Sequence, residues 1–117
     1  IESTMTFVDL FCGAGGLSEG FRQAGFDVRI GIDFNKHAIH THHINFKDSF
    51  SIYADITELE PIELLSDYNL EAKDIDGIIG GFPCQGFSIA GKRWIEDPRN
   101  KLFLECVRFV DAIKPCF

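Results

Sequence analysis

Short apolar runs alternate with amphipathic segments along the chain. Runs rich in β-branched and aromatic residues predict strands at 6–11, 28–32, 51–54 and 76–79. Helical spacing predicts helices at 17–24, 35–45, 61–65 and 101–113, with Leu17, Phe21 and Ala24 on one face of the first. Gly25 stands at the C-terminal cap of that helix. Strands that alternate with helices indicate an α/β fold whose mostly parallel sheet carries helices on both faces.

Residues able to do chemistry follow each predicted strand. The first strand leads into a glycine turn, Asp33 and Asp55 close the next two, and Cys84 follows the fourth. The carboxyl ends of parallel strands meet at one edge of a sheet, where ligands of such folds bind. We therefore expect these residues to converge on one site, beside a long loop at 80–100 that is rich in glycine and proline.

Each of these features also has a purely structural explanation. The glycine turn favours a nucleotide-like ligand at a helix N-terminus, or is simply a tight turn. The sequence contains neither G-x-G-x-x-G nor G-K-[ST], which disfavours dinucleotide and phosphate-cradling loops. Asp33 follows the glycine turn by roughly 20 residues, as the ribose-binding acid does in dinucleotide-binding folds. The alternative is a solvated Asp in a turn. Asp55 binds an amino group, or caps a helix, because 55–58 resembles a capping box.

The cysteines and histidines are candidates for disulfide, nucleophilic and metal sites. None of the four cysteines forms a C-x-x-C pair, which favours free thiols in a reducing compartment. Cys84, on a loop at the ligand edge, is a candidate nucleophile, whereas we expect Cys12 to pack and Cys106 and Cys116 to be structural. The histidines at 37–43 complete no zinc-ligand pattern, so a surface helix is favoured over a metal site.

Composition narrows the class of protein further. With 117 residues, 45% hydrophobic and 25% charged, the chain has the composition of an ordinary globular domain of modest size. No apolar run approaches the roughly 20 residues of a membrane span, and no secretory signal is visible. The net charge of −7 argues against this stretch alone being a platform for nucleic acid.

Five segments together resemble the cytosine-5 DNA methyltransferase family. They read FVDLFCGAGGL at 7–17, DF at 33–34, DIT at 55–57, GGFPCQGFS at 80–88 and PRNKLF at 98–103. They follow the order of the family's motifs and cover nearly the whole chain. The proline-cysteine-glutamine motif, with the glycine turn upstream, is highly specific.

The resemblance implies a Rossmann-like fold, S-adenosylmethionine as the cofactor, and no metal. The implied cofactor-binding residues are Phe11, Gly13, Gly15, Gly16, Asp33, Phe34, Asp55, Ile56 and Leu102. In this family pattern the loop glycines approach the methionine end, and Asp33 binds the ribose hydroxyls. Asp55 binds the adenine amino group, and Phe11 and Phe34 pack on the adenine.

The resemblance also implies the reaction and its substrate. Cys84 would add to C6 of a cytosine flipped out of double-stranded DNA, so that C5 can take the methyl group. The implied substrate-binding residues are Phe82, Pro83, Gln85, Ser88, Lys92 and Arg99. Three alternatives stay open: the tRNA-methylating branch of the family, a non-catalytic nucleotide-binding fragment, and a dinucleotide-dependent oxidoreductase. The missing G-x-G-x-x-G counts against the last.

Family members continue past the counterpart of Phe117 into another strand, a glutamate that holds the cytosine ring, and a target-recognition domain. We therefore expect residues 1–117 to be the N-terminal part of the cofactor-binding catalytic domain, without the target-recognition domain. Expressed alone, they are expected to be inactive and marginally folded, because the strand at 76–79 would lack one neighbour. The implied location is the bacterial cytoplasm, at the nucleoid, or a eukaryotic nucleus.

Overall fold

A computed structural model describes residues 4–81 and 101–117 of the chain. Within them the strands are β1 (Thr6–Leu10), β2 (Asp27–Asp33), β3 (Phe50–Tyr53) and β4 (Gly77–Gly80). The helices are α1 (Gly16–Gln23), α2 (Lys36–Asn45), α3 (Pro61–Asp67) and α4 (Lys101–Ile113), with 3₁₀ turns at Ile56–Glu58 and Ala72–Asp74. All strand pairings are parallel, in the order β3-β2-β1-β4. The α/β prediction is confirmed, with element ends displaced by one or two residues.

The side chains of β1 alternate between two helical layers. Val8 and Leu10 belong to a core that α3 and α4 complete, with Phe109 at its centre. Phe7 and Asp9 point to the opposite side, where they contact α1. Because β1 has a strand on each edge and helices on each face, all of its residues are buried. The sheet is therefore covered by helices on both faces, as predicted.

The order of the strands creates a ligand-binding crevice at one edge. β2 and β3 lie successively on one side of β1, whereas β4 lies on the other. The register keeps the strand ends level, because Leu10 pairs with both Ile32 and Gly80, and Asp33 pairs with Tyr53. Ligands of open parallel sheets bind where the strand order reverses, which here is beyond the ends of β1 and β4.

Helix α1 ends in the cap that its sequence predicts. Gly25 adopts a φ of +95°, and its N–H donates to the Arg22 carbonyl at 3.0 Å. The N–H of Phe26 donates to the Phe21 carbonyl at 3.1 Å, and the two phenyl rings lie 5.6 Å apart. These are the paired hydrogen bonds and the apolar contact of a Schellman motif.

The face of α1 on which helical spacing groups Leu17, Phe21 and Ala24 is not its buried face. Leu17 is 42% exposed and Ala24 is also exposed, so only Phe21 of the three predicted residues is partly buried. Ser18 is instead 0% exposed. Its hydroxyl donates a hydrogen bond to the carboxylate of Asp9 at 2.6 Å, and apolar spacing carries no signal for such a contact.

Strand β4 lies at the edge of the described sheet. The N–H of Phe117 donates to the Asp76 carbonyl at 3.2 Å, and the N–H of Ile78 donates to the Phe117 carbonyl at 3.3 Å. In parallel pairing, the N–H and the carbonyl of one residue bond to two residues of the neighbouring strand that are two positions apart. The backbone of Phe117 therefore lies along the outer edge of β4 in the manner of a neighbouring parallel strand.

Candidate functional site

A cavity of about 760 Å³ opens at the carboxyl edge of the sheet. Seven of the nine predicted cofactor-binding residues line it: Phe11, Gly13, Asp33, Phe34, Asp55, Ile56 and Leu102. The predicted convergence of the strand ends on one site is thereby confirmed for the described residues. Sequence reasoning missed other residues of the wall, namely Ile32, Asn35, Ala54, Thr57, Gly81 and Lys101. Most of these adjoin a predicted residue in the sequence, which is the signal that could have found them.

The glycine turn owes its shape to backbone conformation. The φ values of Phe11, Gly13 and Gly15 are 59°, 57° and 110°. Residues other than glycine rarely adopt this left-handed backbone conformation. A Cβ on Gly15 would lie 2.2 Å from the ring of Phe46. Gly15 and Gly16 are absent from the cavity wall, so what the structure shows for Gly15 is a role in forming the turn and capping α1.

Asp33 connects the glycine turn to the end of β2. Its Oδ2 accepts a hydrogen bond from the Gly13 N–H at 2.8 Å, and its Oδ1 accepts one from the Asn35 N–H at 2.9 Å. Asn35 in turn caps α2, because its Oδ1 accepts a bond from the Ala38 N–H at 3.0 Å. Asp33 is thus both a turn residue and a cavity residue. Each carboxylate oxygen can accept a second bond, so the turn contacts leave it able to bind a ligand hydroxyl.

Asp55 lies on the wall that follows β3. The hydroxyl and the N–H of Thr57 both donate to its Oδ1, at 2.7 Å and 3.0 Å. These two bonds lower the pKa of Asp55, because they favour the ionised carboxylate. The predicted capping role is confirmed, on the 3₁₀ turn at Ile56–Glu58. The other oxygen, Oδ2, receives neither of the Thr57 bonds.

An aromatic ring stands exposed at the cavity. Phe34 is 63% exposed, and its ring stacks on Tyr53 at 5.5 Å between centroids with an angle of 11° between planes. The ring of Tyr53 supports Phe34 from one side. A planar apolar group entering the cavity could pack against this ring and remove it from water.

A chain of buried polar groups runs from β1 through α1 and α2 to β3. Ser18 Oγ donates to Asp9 Oδ2 and lies 3.3 Å from His42 Nε2, while His42 Nδ1 lies 2.6 Å from Ser51 Oγ. Since the single hydroxyl proton of Ser18 goes to Asp9, Nε2 of His42 must donate and Nδ1 must accept from Ser51. Burial lowers the pKa of His42, in agreement with a neutral imidazole.

This network corrects the expectation of a surface helix for the histidines. His42 is fully buried, whereas His37, His40 and His43 are exposed on α2. The described part of the chain contains no group of three His, Cys, Asp or Glu side chains placed to hold a metal ion.

The three cysteines in the described ranges are free thiols. Cys12 is buried, which confirms the expectation that this thiol packs. Burial, together with the nearby carboxylates of Asp9 and Asp33, raises the pKa of Cys12 to about 12. Burial also raises the pKa of the half-buried Cys106 to about 11. The expectation that Cys116 is a structural thiol is wrong in one respect, because its side chain is exposed and only its backbone bonds to β4.

The predicted catalytic cysteine and its neighbours lie outside the described residues. These are Cys84 and the predicted substrate-binding residues Phe82, Pro83, Gln85, Ser88, Lys92 and Arg99. The residues that flank this segment, Gly81 and Lys101, both line the cavity. In the two described ranges, none of the helices has the length and apolar character needed to cross a bilayer.

Comparison with known proteins gives one consistent result. A family described as C-5 cytosine-specific DNA methylase matches residues 5–117. Type II methyltransferase M.DdeI of Desulfomicrobium norvegicum is 44% identical over 113 residues, which cover 97% of this chain and 26% of that protein. Type II methyltransferase M1.HphI of Haemophilus parahaemolyticus is 43% identical over 117 residues, covering 97% and 31%. The chain thus spans about a quarter to a third of the length of these relatives.

Solved structures agree with the sequence relatives. A prophage-encoded E. coli protein described as a DNA modification methyltransferase aligns with a TM-score of 0.78 and 40% identity, covering 96% of this chain and 30% of that one. DNMT2 of Spodoptera frugiperda aligns with a TM-score of 0.65 and 26% identity, covering 94% and 32%. The predicted Rossmann-like methyltransferase fold is thereby confirmed.

Proposed function

Because the chain belongs to the C-5 cytosine-specific DNA methylase family, we propose that its cavity binds S-adenosylmethionine and that the whole protein methylates C5 of cytosine in DNA. The observation that carries this proposal concerns the described residues on either side of the segment that contains Cys84. Its flanking residues Gly81 and Lys101 line the same cavity as Asp33 and Asp55. Cys84 follows Gly81 by only three residues in the sequence, which ties the proposed nucleophile to this wall of the cavity.

The cavity has the volume and the hydrogen-bond acceptors that suit this cofactor. About 760 Å³ falls within the range of small-molecule sites. The Asp33 carboxylate suits two ribose hydroxyls, and the ionised Asp55 suits the amino group of adenine. Phe34, Ile56 and Leu102 supply an apolar surface for the adenine ring. When bound, S-adenosylmethionine supplies an electrophilic methyl group.

A thiolate explains how an unreactive carbon becomes a nucleophile. Cys84 sulfur would form a bond to C6 of the cytosine, and the electron pair of the C5–C6 double bond would become available at C5 to attack the methyl group. The bond between that methyl group and the sulfonium sulfur would break, and S-adenosylhomocysteine would be the leaving group. Loss of the C5 proton to a base then restores the double bond, and the thiolate leaves. Sulfur suits this sequence because it must both add and depart. Gln85, Ser88, Lys92 and Arg99, with Phe82 and Pro83, would contact the target base or its strand.

The substrate in this proposal is a base flipped out of double-stranded DNA, since C6 is inaccessible within the stacked duplex. The net charge of −7 means that the basic DNA-contacting surface must come largely from other parts of the protein. Residues 1–117 would then be the N-terminal part of the catalytic domain. Bacterial Type II relatives support a role in restriction–modification and a location in the bacterial cytoplasm.

The replacement Cys84→Ser in the full-length protein tests the proposal. We expect S-adenosylmethionine to bind as before and methyl transfer to be lost, because a hydroxyl is far less acidic than a thiol and does not add to C6. Transfer of a labelled methyl group to duplex DNA measures activity, and calorimetry measures binding. Cys116→Ser, at an exposed thiol, is the matched control.

Activity in Cys84→Ser equal to that of Cys116→Ser would contradict the proposal. Running the same assay with tRNA separates the DNA-methylating branch of the family from the tRNA-methylating branch. Methyl transfer to tRNA alone would reassign the substrate and keep the chemistry.

A further inference from the structure

Arg108 forms a set of contacts that connects two walls of the cavity. It lies on α4, with its side chain 37% exposed. Its Nη2 donates to the Ile56 carbonyl at 2.7 Å, and its Nη1 donates to the Leu59 carbonyl at 2.5 Å. Its Nε donates to Glu105 Oε2 at 2.6 Å.

The partners of Arg108 explain why a guanidinium is needed at this position. The two backbone carbonyls belong to Ile56, the first residue of the 3₁₀ turn, and to Leu59, which caps it. The Ile56 carbonyl already accepts a bond from the Leu59 N–H at 3.2 Å, so Arg108 uses its second lone pair. The planar fork of an arginine reaches both carbonyls at once, which a lysine ammonium cannot do with the same geometry. Glu105, one turn earlier on α4, fixes the third nitrogen and balances the charge.

The 3₁₀ turn that Arg108 contacts forms part of the cavity wall. Asp55 caps the turn, and Asp55, Ile56 and Thr57 line the cavity. The first residues of α4, Lys101 and Leu102, also line it. The Arg108 contacts thus connect the wall that follows β3 to the helix that follows the segment containing Cys84.

We propose that Arg108 is a positioning residue that fixes the 3₁₀ turn relative to α4, so that the Asp55 carboxylate stays at a set place on the cavity wall and selects for the amino group of adenine. This inference rests on the proposed function of the cavity as an S-adenosylmethionine site. Arg108 itself does not line the cavity, so it acts through Asp55 rather than by touching the ligand.

A second arginine provides a matched control. Arg22 also pairs with a glutamate three residues earlier, Glu19, with 2.5 Å between nitrogen and oxygen. Its side chain is 60% exposed, and the hydrogen bonds that it donates to Glu19 stay within α1. Arg22→Met therefore removes an equivalent ion pair without removing a contact between two elements.

The experiment compares two ligands in the full-length protein. Calorimetry gives the affinity for S-adenosylmethionine and for an analogue whose purine lacks the 6-amino group. The wild type should prefer the amino form, and Asp55→Ala should abolish that preference. Arg108→Met should reduce the preference by about tenfold, the scale of one well-placed hydrogen bond. Arg22→Met should leave it unchanged, and Asp55→Ala/Arg108→Met should lose no more than Asp55→Ala alone.

A purely structural role for Arg108 would weaken both ligands equally, and that result would overturn the inference. If Arg108→Met does not fold, Arg108→Lys decides the question: reduced preference supports the inference, and an unchanged preference contradicts it. A wild type that binds both ligands equally would overturn the inference and leave cofactor binding intact. A folded wild type that binds neither ligand would instead overturn the proposed function, and the inference with it.

Discussion

Asp9 combines complete burial with an ionisable side chain. Burial raises its pKa to about 6, although the bond from Ser18 lowers it, and the nearby charge of Asp33 raises it further. Its Oδ1 has no hydrogen-bond partner among the described residues. An unfolded Asp ionises near pH 4, so between about pH 4 and pH 6 the folded protein holds a proton that the unfolded chain has released. Stability from this group is therefore complete at low pH and falls as the pH rises through that window.

We predict that Asp9→Asn removes this part of the pH dependence. In the wild type, ionising Asp9 costs about 3 kcal/mol of folding free energy at neutral pH. His42 contributes in the opposite direction, because its lowered pKa stabilises the fold above about pH 6.5 and the benefit is lost as the pH falls. Urea unfolding of both proteins from pH 4 to pH 7 isolates the Asp9 contribution as a difference. Parallel curves for the two proteins would show that Asp9 does not titrate in this range.

Asp33 accepts a hydrogen bond from the glycine turn and also lines the cavity. Replacing it tests its proposed role in binding the cofactor. We predict that Asp33→Ala weakens S-adenosylmethionine binding by about 2 kcal/mol, the scale for losing hydrogen bonds to a charged group. Asp27→Ala, at the other end of β2, is the control and should bind normally. Calorimetric titration of the full-length variants measures both. An unchanged dissociation constant in Asp33→Ala would leave Asp33 as a turn residue only.

At the scale of elements, two glycines of α1 differ in whether the fold has room for a side chain at their position. Gly15 caps α1 at a φ of +110°, and a Cβ there would lie 2.2 Å from the ring of Phe46. Gly20 lies inside α1, and a Cβ there would meet no atom within 4 Å. We predict that Gly15→Ala lowers the free energy of unfolding by about 1–3 kcal/mol. Gly20→Ala should raise it by about 0.5–1 kcal/mol.

Chemical denaturation of the two variants gives both values. The opposite signs are the test, since each substitution adds the same methyl group to the same helix. If Gly15→Ala were as stable as the wild type, the turn would not depend on its left-handed glycine.

The order of elements could be predicted because apolar spacing reflects burial directly. The strand ends could be placed on one edge because parallel topology leaves no other arrangement. The network of Ser18 and His42 could not be predicted, since buried hydrogen-bonded side chains interrupt the apolar pattern that marks a core. The contacts of Arg108 were also missed, because they join residues about fifty positions apart and end on backbone carbonyls, which have no sequence signature.

At the scale of the whole molecule, one apolar surface stands apart from the cavity. A depression of about 480 Å³ lies beside β4, and its lining is almost wholly apolar. It is formed by Met5, Phe7, Phe21, Phe26, Ile78, Ile79 and Phe117. This surface and the edge of β4 give a physical reason to expect that residues 1–117 alone are marginally stable.

The reaction proposed for the whole molecule depends on a covalent bond between Cys84 and the target cytosine. Duplex DNA containing 5-fluorocytosine tests this directly, because C5 then carries fluorine and the adduct cannot be resolved by loss of a proton. Full-length protein, mixed with this DNA and S-adenosylmethionine, should give a denaturation-resistant protein–DNA band on a gel. The band should be absent with Cys84→Ser and present with Cys116→Ser. A wild-type protein that methylates ordinary DNA but forms no such band, or a band that persists in Cys84→Ser, would contradict the account.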